Sequence, residues 1–177
     1  DADSGADVVH ADFTLIDEAG TELGRSRVGP IERLLYGNNV GACFLYRARV
    51  TEALGGYDTG LFGVEDYDFW LRAAQRFRFA ELHEDLYLYR KHGGSLTSQR
   101  AERIQALTAE IVERAIPETM AARTRSEILL GLALKSHLRW RLDLVCRAFR
   151  ADPFHVAARL PQIARWSLAV ARNRIAT

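Results

Sequence analysis

The chain divides into two parts with different patterns of apolar and polar positions. Up to about residue 100, short apolar runs rich in β-branched residues predict strands, which are separated by glycine-containing turns and short helices. After about residue 100, apolar residues recur at three- and four-residue steps, which predicts helices to the end of the chain. We therefore expect an α/β region over residues 1–100 and a helical region over 101–177.

Within the first region, the apolar runs at residues 7–16 and 41–47 predict strands, and the second of these is expected to be buried. Shorter strands are predicted at residues 25–28, 78–82 and 86–90. Helices are predicted from Pro30 to Gly37, over residues 49–54 and from Glu65, because proline favours a first helical turn and glycine a helix end. In the second region, helix breaks are expected at Pro117, residues 136–137, residues 152–153 and Pro161.

The segment LFGVEDYDFWLR, residues 61–72, places two adjacent carboxylates at the start of a predicted amphipathic helix. Asp66 shares a side of that helix with apolar residues three and seven positions later, so it is expected to point inward. The helix dipole favours its ionised form, whereas the negative charge of Glu65 raises its proton affinity. A carboxylate balanced in this way is a candidate general base, and the alternative is ordinary helix capping. Asp68 and Arg72, one turn apart, are expected to form only a surface pair.

Charge is distributed unevenly along the chain. Residues 1–97 contain 10 Lys or Arg and 16 Asp or Glu, whereas residues 98–177 contain 14 and 7, so the two parts carry net charges of −6 and +7. Such an asymmetry indicates different partners for the two parts. We do not expect a nucleic acid among them, because the arginines are scattered among apolar positions without an aromatic platform or a known binding motif.

Cys43 and Cys146 are the only cysteines, and their spacing matches no metal site. We expect both to be buried free thiols in a reducing compartment. No apolar run approaches the length needed to span a bilayer. The expected location is therefore cytoplasmic, with peripheral contact to a membrane left open.

Four segments occur in an order that is specific in combination. They are a small-residue strand ending in arginine, a Gly-Gly-aromatic-Asp turn, a Glu-Asp pair heading a helix with Trp and Arg, and a Tyr-Arg-x-His-x-x-Ser segment, at residues 41–47, 55–58, 65–72 and 89–95. Together they resemble the second half of the catalytic domain of family 2 glycosyltransferases, the inverting nucleotide-sugar enzymes of the GT-A fold. The resemblance covers about residues 5–100. It implies the second half of a GT-A mixed sheet, followed here by an all-α C-terminal region.

The resemblance also implies a site. Asp66 would be the base that removes the proton of the acceptor hydroxyl, with Glu65 beside it. His92 would lie near the donor diphosphate and its Mn²⁺ or Mg²⁺, or else be an ordinary surface-loop histidine. The positions implicated in binding the substrates are Asn39, Gly41, Ala42, Trp70, Arg90, Lys91 and Ser95. Each has a structural alternative: strand packing near residue 41, core packing for the tryptophan, solvation of a strand end for the cations and helix capping for the serine.

Asp1-Ala2-Asp3 has the letters of the D-x-D motif that binds metal and nucleotide in this family. No apolar strand precedes it, so we interpret it as the loop into the strand at residues 7–16. We accordingly expect the nucleotide-binding strands and the true motif upstream of this chain, which would be a catalytically incomplete fragment with little affinity for sugar nucleotides. An unpaired edge of the strand at 7–16 or at 41–47 would then favour self-association.

The function that these observations indicate is inverting transfer of a sugar from a nucleotide-diphosphate sugar to the hydroxyl of a glycan or lipid-linked acceptor. It would serve the synthesis of a polysaccharide, glycan or glycolipid. The alternative is a non-catalytic helical module that contacts a membrane surface or a partner, through an amphipathic helix at residues 156–175 with arginines around its apolar stripe. A helix packed on its own domain would give the same pattern. The stripe consists of Val156, Leu160, Ile163, Trp166 and Val170.

Overall fold

A computed structural model of the protein describes residues 5–94, 100–136 and 140–175. These residues form a mixed α/β protein with two small three-stranded mixed sheets and several helices. Two compact units divide between Thr108 and Ala109, and we call them the α/β unit and the helical unit. The predicted mixed α/β class is confirmed, but the strands are divided between two sheets.

The segment predicted as one strand at residues 7–16 is two strands, β1 (Val8–Ala11) and β2 (Phe13–Ile16). Asp12 lies between them, and its carboxylate accepts a hydrogen bond from the backbone N–H of Val28 at 2.8 Å. Aspartate side chains compete in this way with regular backbone pairing. The prediction of a single strand was therefore wrong. Asp12 lies where the chain passes from one sheet to the other, and its side chain binds the segment around Val28 there.

β1 is the central strand of sheet A. It pairs antiparallel with β4 (Cys43–Tyr46) and parallel with β5 (Phe79–Leu82). The prediction that β4 is buried was wrong: the strand lies at an edge of the sheet, with Leu45 77% exposed and the other three residues only partly covered. Of the two strands for which we expected an unpaired edge, β4 has one among the described residues and β1 does not.

β2 is the central strand of sheet B. It pairs antiparallel with β3 (Glu22–Ser26) and parallel with β6 (Leu88–Arg90). The β2–β3 turn is closed by the carboxylate of Asp17, which accepts a hydrogen bond from the backbone N–H of Thr21 at 2.7 Å. Because this turn is tight, β3 begins earlier than the strand predicted at residues 25–28.

Among the described residues, four short helices connect the strands, and all but the 3₁₀ helix Thr59–Leu61 occupy positions predicted from the sequence. Gly55 ends the second of them with φ of 78°, the left-handed conformation that glycine adopts at the lowest cost. Pro30 precedes the first, which is a 3₁₀ helix rather than an α-helix. In chain order these elements are the 3₁₀ helix Ile31–Tyr36, α1 (Ala48–Leu54), the 3₁₀ helix Thr59–Leu61 and α2 (Glu65–Ala73).

The core of the α/β unit lies between α2 and sheet A. Phe69 and Trp70 of α2 are fully buried, and the Trp70 ring meets the edge of Phe44 on β4 with 4.7 Å between ring centroids. Phe79 on β5 packs against the same ring at 6.2 Å. Full burial of side chains of this size stabilises a fold by about 1.5–3 kcal/mol each, so this aromatic cluster fixes the position of α2 on the sheet.

The remaining helices follow the breaks predicted from the sequence, with one difference. The last break falls at Arg159 rather than at Pro161, because proline is compatible with the first turn of a helix. The side chain of Asp152 caps the helix after it by accepting a hydrogen bond from the backbone N–H of His155 at 2.9 Å. The helices are α3 (Ala101–Ala115), which crosses the division between the units, α4 (Ala122–Lys135), α5 (Leu142–Ala151), α6 (Pro153–Ala158) and α7 (Leu160–Ile175).

Both cysteines are free, but the prediction that they are buried was wrong. Cys146 is exposed and Cys43 is partly exposed. Leu144 and Ala148 of α5 are fully buried, and a residue midway between them lies on the opposite side of the helix. None of the described helices is long and apolar enough to cross a membrane.

Candidate active site

The loop before α2 places two carboxylates at the helix start. Gly63 has φ of 99°, a conformation that favours glycine, and its backbone N–H donates a hydrogen bond to Oε2 of Glu65. The next carboxylate, that of Asp66, accepts a hydrogen bond at Oδ1 from the backbone N–H of Tyr67 at 2.7 Å. Both side chains thus accept hydrogen bonds from backbone N–H groups at the N-terminal end of α2. The free N–H groups of a helix N-terminus favour negative charge.

The second oxygen of Asp66 points to a residue that the sequence analysis did not single out. Oδ2 accepts a hydrogen bond from Nδ2 of Asn38 at 3.2 Å. Asn38 lies after the 3₁₀ helix, and the segment containing it meets α2 because Tyr67 donates a hydrogen bond from its hydroxyl to the carbonyl of Leu34. Sequence spacing gives no signal for this contact, which joins residues 28 positions apart.

Burial raises the pKa of Asp66 above its usual range. The negative charge of Glu65 adds to the effect, whereas the hydrogen bonds from Tyr67 and Asn38 favour the ionised form and oppose it. Loss of hydration outweighs the helix N-terminus, which was expected to keep the carboxylate ionised. Among the described residues, no Lys, Arg or His forms an ion pair with either acid. Asp66 is therefore a carboxylate whose affinity for a proton is higher than that of an exposed aspartate.

Tyr57 is a further residue of this site that the analysis of single residues missed, although it is the aromatic residue of the Gly-Gly-aromatic-Asp turn. Burial raises the pKa of its phenol to about 12, with further contributions from Tyr46 and from the charges of Asp66 and Glu65. Its ring packs edge-on against Phe69 at 5.0 Å and remains 42% exposed. Phe69 lies one turn after Asp66 on α2, so the ring contact places Tyr57 beside this part of the helix. We group Tyr57 with Asn38, Glu65 and Asp66 and call these four residues the α2 site.

Asp68 and Arg72 are not the surface pair that was predicted. Asp68 is only 8% exposed, and its Oδ2 accepts a hydrogen bond from Nε of Arg72 at 2.8 Å. The same guanidinium donates to the carbonyls of Leu54 at 2.9 Å and Gly56 at 2.8 Å. The prediction was wrong because the end of α1 packs beside α2, so one arginine joins the two helices and compensates a buried carboxylate.

Trp70 has no exposed surface, and its ring lies in the aromatic cluster between α2 and sheet A. A side chain in this position has no free face on which an acceptor sugar could stack. The structure thus corrects the assignment of Trp70 to substrate binding in favour of its core alternative, because burial of the indole ring holds α2 on the sheet.

The residues before β4 hold the chain in place. The side chain of Asn39 donates a hydrogen bond to the carbonyl of Pro30. Gly41 has φ of 76°, and a Cβ added to it would lie 2.6 Å from the ring of Phe13. Ala42 is partly buried. Packing explains Asn39 and Gly41, and no described contact joins any of the three to Asp66.

The segment after β6 has structural bonds of its own. Nη1 of Arg90 donates to the carbonyls of Asp17 at 2.9 Å and Glu18 at 2.8 Å, which fastens the β2–β3 turn. Lys91 donates its backbone N–H to Ile16 at 2.8 Å, and its side chain is exposed.

His92 is exposed and has no hydrogen bond or ion pair among the described residues. No described contact brings it to Asp66. Ser95, Asp1 and Asp3 lie outside the described residues.

The described residues contain no group of three or more His, Cys, Asp or Glu side chains that could hold a metal ion. His92 by itself is one ligand, whereas protein sites for Mn²⁺ or Mg²⁺ use several, mostly oxygens. The described residues therefore do not form the metal site implied by the resemblance, and we derive no chemical step through a metal.

The C-terminal stripe is not one continuous helix face. It spans α6 and α7, and Val156, Trp166 and Val170 are buried in the helical unit. Nε1 of Trp166 donates to the carbonyl of Ser136 at 2.6 Å. Three residues of the stripe thus pack inside their own unit, as the alternative interpretation held.

Neither models of protein families nor curated protein sequences match this chain. The interpretation of the α2 site therefore depends on its own geometry and on the four sequence segments. The geometry supplies a partly buried carboxylate with a raised pKa, a second carboxylate beside it, an amide donor and an exposed aromatic ring.

Proposed function

We propose that the chain is the acceptor-side portion of an inverting glycosyltransferase that uses a nucleotide-diphosphate sugar, and that Asp66 is its general base. The observation that carries the proposal is the position of Asp66, a partly buried carboxylate that accepts hydrogen bonds only from the backbone of Tyr67 and the amide of Asn38 and has no ion pair among the described residues. Burial raises its pKa. Proton acceptors at active sites have proton affinities closer to the operating pH than exposed carboxylates do.

Other aspartates of the α/β unit differ from Asp66. Asp7 has a lowered pKa because the backbone N–H of Arg78 and the guanidinium of Arg49 favour its ionised form. At Asp12, burial raises the pKa, but the bonds from Val28 and His83 outweigh it and the net shift is downward. These carboxylates hold the fold together, whereas Asp66 keeps an oxygen that is bound only by an amide.

In the proposed reaction, an acceptor hydroxyl donates its hydrogen to Oδ2 of Asp66 in place of the Asn38 amide. The hydroxyl oxygen forms a bond to the anomeric carbon of the donor as the bond from that carbon to the diphosphate oxygen breaks. The proton passes to Asp66, and the nucleoside diphosphate leaves with the electron pair. The negative charge of Glu65 raises the basicity of Asp66, and the exposed ring of Tyr57 offers a surface for the acceptor sugar.

The test is sugar transfer by the full-length protein, assayed with uridine, guanosine and thymidine diphosphate sugars. Asp66→Asn keeps the shape and one acceptor oxygen but removes the basicity, so turnover should fall by about 10² to 10⁴-fold. Glu52→Gln is the matched control, because Glu52 is an exposed carboxylate on α1; its turnover should be unchanged. An Asp66→Asn protein that retains most of its transfer rate would remove Asp66 from the mechanism.

A second candidate function is contact of the helical unit with an anionic membrane surface. Residues 153–177 contain four arginines and no Asp or Glu. Several apolar side chains in this segment remain exposed: Phe154 by 84%, Leu160 by 59% and Leu168 by 62%. Leu160 and Leu168 lie on one side of α7, eight residues apart, with exposed arginines at 165 and 172.

Flotation with vesicles tests this second function. The protein should float with vesicles that contain anionic lipid and not with neutral ones, and Leu160→Ser with Leu168→Ser should abolish flotation. The control is Val145→Ser, a change of a partly buried apolar residue on α5. Absence of lipid-dependent flotation would leave packing within the helical unit as the role of α7.

A further inference from the structure

A pocket in the helical unit is lined mainly by charged side chains. Its volume is about 330 Å³, at the lower end of the range for small-molecule sites. Three segments supply the walls: the end of α3, one side of α4 and one side of α5. The lining side chains that matter here are Glu113, Ile116, Arg125, Leu129, Arg147 and Arg150.

The spacing of these residues explains why they meet. Arg147 and Arg150 are three positions apart on α5, and Arg125 and Leu129 are four positions apart on α4, so each pair lies on one side of its helix. The pocket thus combines three guanidinium groups and one carboxylate with three apolar side chains, those of Ile116, Leu129 and Ala151.

The described hydrogen bonds within the fold use only some of the donors of these arginines. Nη1 of Arg147 donates to Oε2 of Glu113 at 2.7 Å, and Nη2 of Arg125 donates to the carbonyl of Pro117 at 2.8 Å. Each guanidinium has five N–H donors, so these described bonds leave further donors on both arginines.

Two groups of the pocket have no role in the described fold. Arg150 is exposed and has no hydrogen bond or ion pair among the described residues. Oε1 of Glu113 is buried and has no hydrogen-bond partner there. Because this oxygen has almost no accessible surface, a ligand in the pocket does not reach it, and Arg150 is the group that remains available.

We infer that this pocket binds a small organic phosphate. Arg125, Arg147 and Arg150 hold the phosphate oxygens, because the planar guanidinium matches phosphate with paired hydrogen bonds. Ile116 and Leu129 contact the carbon atoms of the ligand. This inference concerns the helical unit and does not depend on the proposed transfer of sugars.

Calorimetric titration of the protein with glycerol 3-phosphate, inorganic phosphate and citrate tests the inference. We expect glycerol 3-phosphate to bind at millimolar concentrations or below, more tightly than inorganic phosphate because its carbon atoms contact Ile116 and Leu129, and more weakly as salt is added. Arg150→Gln should weaken binding about tenfold, the loss expected for one charge-assisted hydrogen bond. It should leave the melting temperature unchanged, because Arg150 has no described bond to lose.

Arg172→Gln is the matched control, since Arg172 is an exposed arginine of α7 that does not line the pocket. Its affinity for glycerol 3-phosphate should equal that of the unaltered protein. An equal loss in both variants would show that general positive charge attracts the ligand and would overturn the pocket assignment. No binding of glycerol 3-phosphate at millimolar concentrations, or tighter binding of citrate, would overturn the ligand class.

Discussion

The α2 site and the pocket of the helical unit contain uncompensated charge of opposite sign. At the α2 site, Glu65 and Asp66 lie side by side and accept hydrogen bonds from backbone and amide groups only, among the described residues. In the pocket, three arginines line a space with one carboxylate. We base two different proposals on this difference: that the first site takes a proton from a neutral hydroxyl, and that the second binds an anion.

The comparison also shows why neither site is explained by the fold alone. Asp68, one turn from the carboxylates of the α2 site, is compensated by Arg72 and joins two helices. Arg147 pairs with Glu113 between α5 and α3. Such pairs fix positions. The neighbouring charged groups that have no described ion pair, such as Asp66 and Arg150, are the ones available for a ligand.

The largest effect that we expect is on stability. Arg72→Met removes the guanidinium that pairs with Asp68 and that donates hydrogen bonds to the carbonyls of Leu54 and Gly56. Loss of one partner of a buried ion pair costs about 3 kcal/mol. Urea denaturation should show this decrease in the free energy of unfolding. Asp66→Asn in the same assay should show no decrease. If Arg72→Met unfolded at the same urea concentration as the unaltered protein, the distinction between paired and unpaired carboxylates on α2 would fail.

A smaller effect is expected on ligand affinity in the pocket. Glu113→Gln removes the one carboxylate there and frees Arg147 from its ion pair. Because partly exposed ion pairs contribute up to about 1 kcal/mol, glycerol 3-phosphate should bind up to about fivefold more tightly. Calorimetry measures this change, and weaker binding by the variant would contradict the arrangement that we infer.

The amide of Asn38 should tune the α2 site. Its hydrogen bond lowers the pKa of Asp66 against the larger upward effect of burial. Asn38→Ala removes this bond, so the pKa of Asp66 should rise further. In a plot of transfer rate against pH, the fall in rate on the acidic side should therefore begin at a higher pH. The profile of the full-length protein from pH 4 to pH 9 checks the shift. A fall in rate that begins at a lower pH would mean that Asn38 does not stabilise the ionised base.

The smallest effect that we expect is on the pH dependence of stability. The folded pKa of Asp66 is raised above its unfolded value of 3.8, so its contribution to stability is fully present below pH 3.8 and is lost as the pH rises through the folded pKa. Asp66→Asn cannot ionise and escapes this loss. The variant should therefore melt at a higher temperature than the unaltered protein at pH 7, with a smaller difference at pH 4. A lower melting temperature at pH 7 would show that the ionised carboxylate stabilises the fold.

Local sequence determined much of the framework. Pro30, Gly55 and the Glu65-Asp66 pair mark helix boundaries that the structure contains, and breaks were found at or near the predicted positions in the helical region. These features depend on backbone conformations of single residues and on periodic burial, which short segments express by themselves.

Other features depended on contacts between distant segments. The split at Asp12 arises from a bond to Val28, and the burial of Asp68 arises from the approach of α1 to α2. The strand at residues 41–47 has an apolar sequence, but its position at a sheet edge depends on which strands pair beside it. Its sequence gives no information on those partners.

By itself, the sequence determined the mixed α/β class, the two-part pattern of charge, and the carboxylate pair at the start of α2. Only the tertiary structure decided that Asn38 and Tyr57 join that pair, that Trp70 is core, and that arginines from two helices face one pocket with Glu113. The physical reason is that spacing along a helix or strand fixes which residues share a side. Which sides meet depends on how whole elements bury their apolar surfaces against one another.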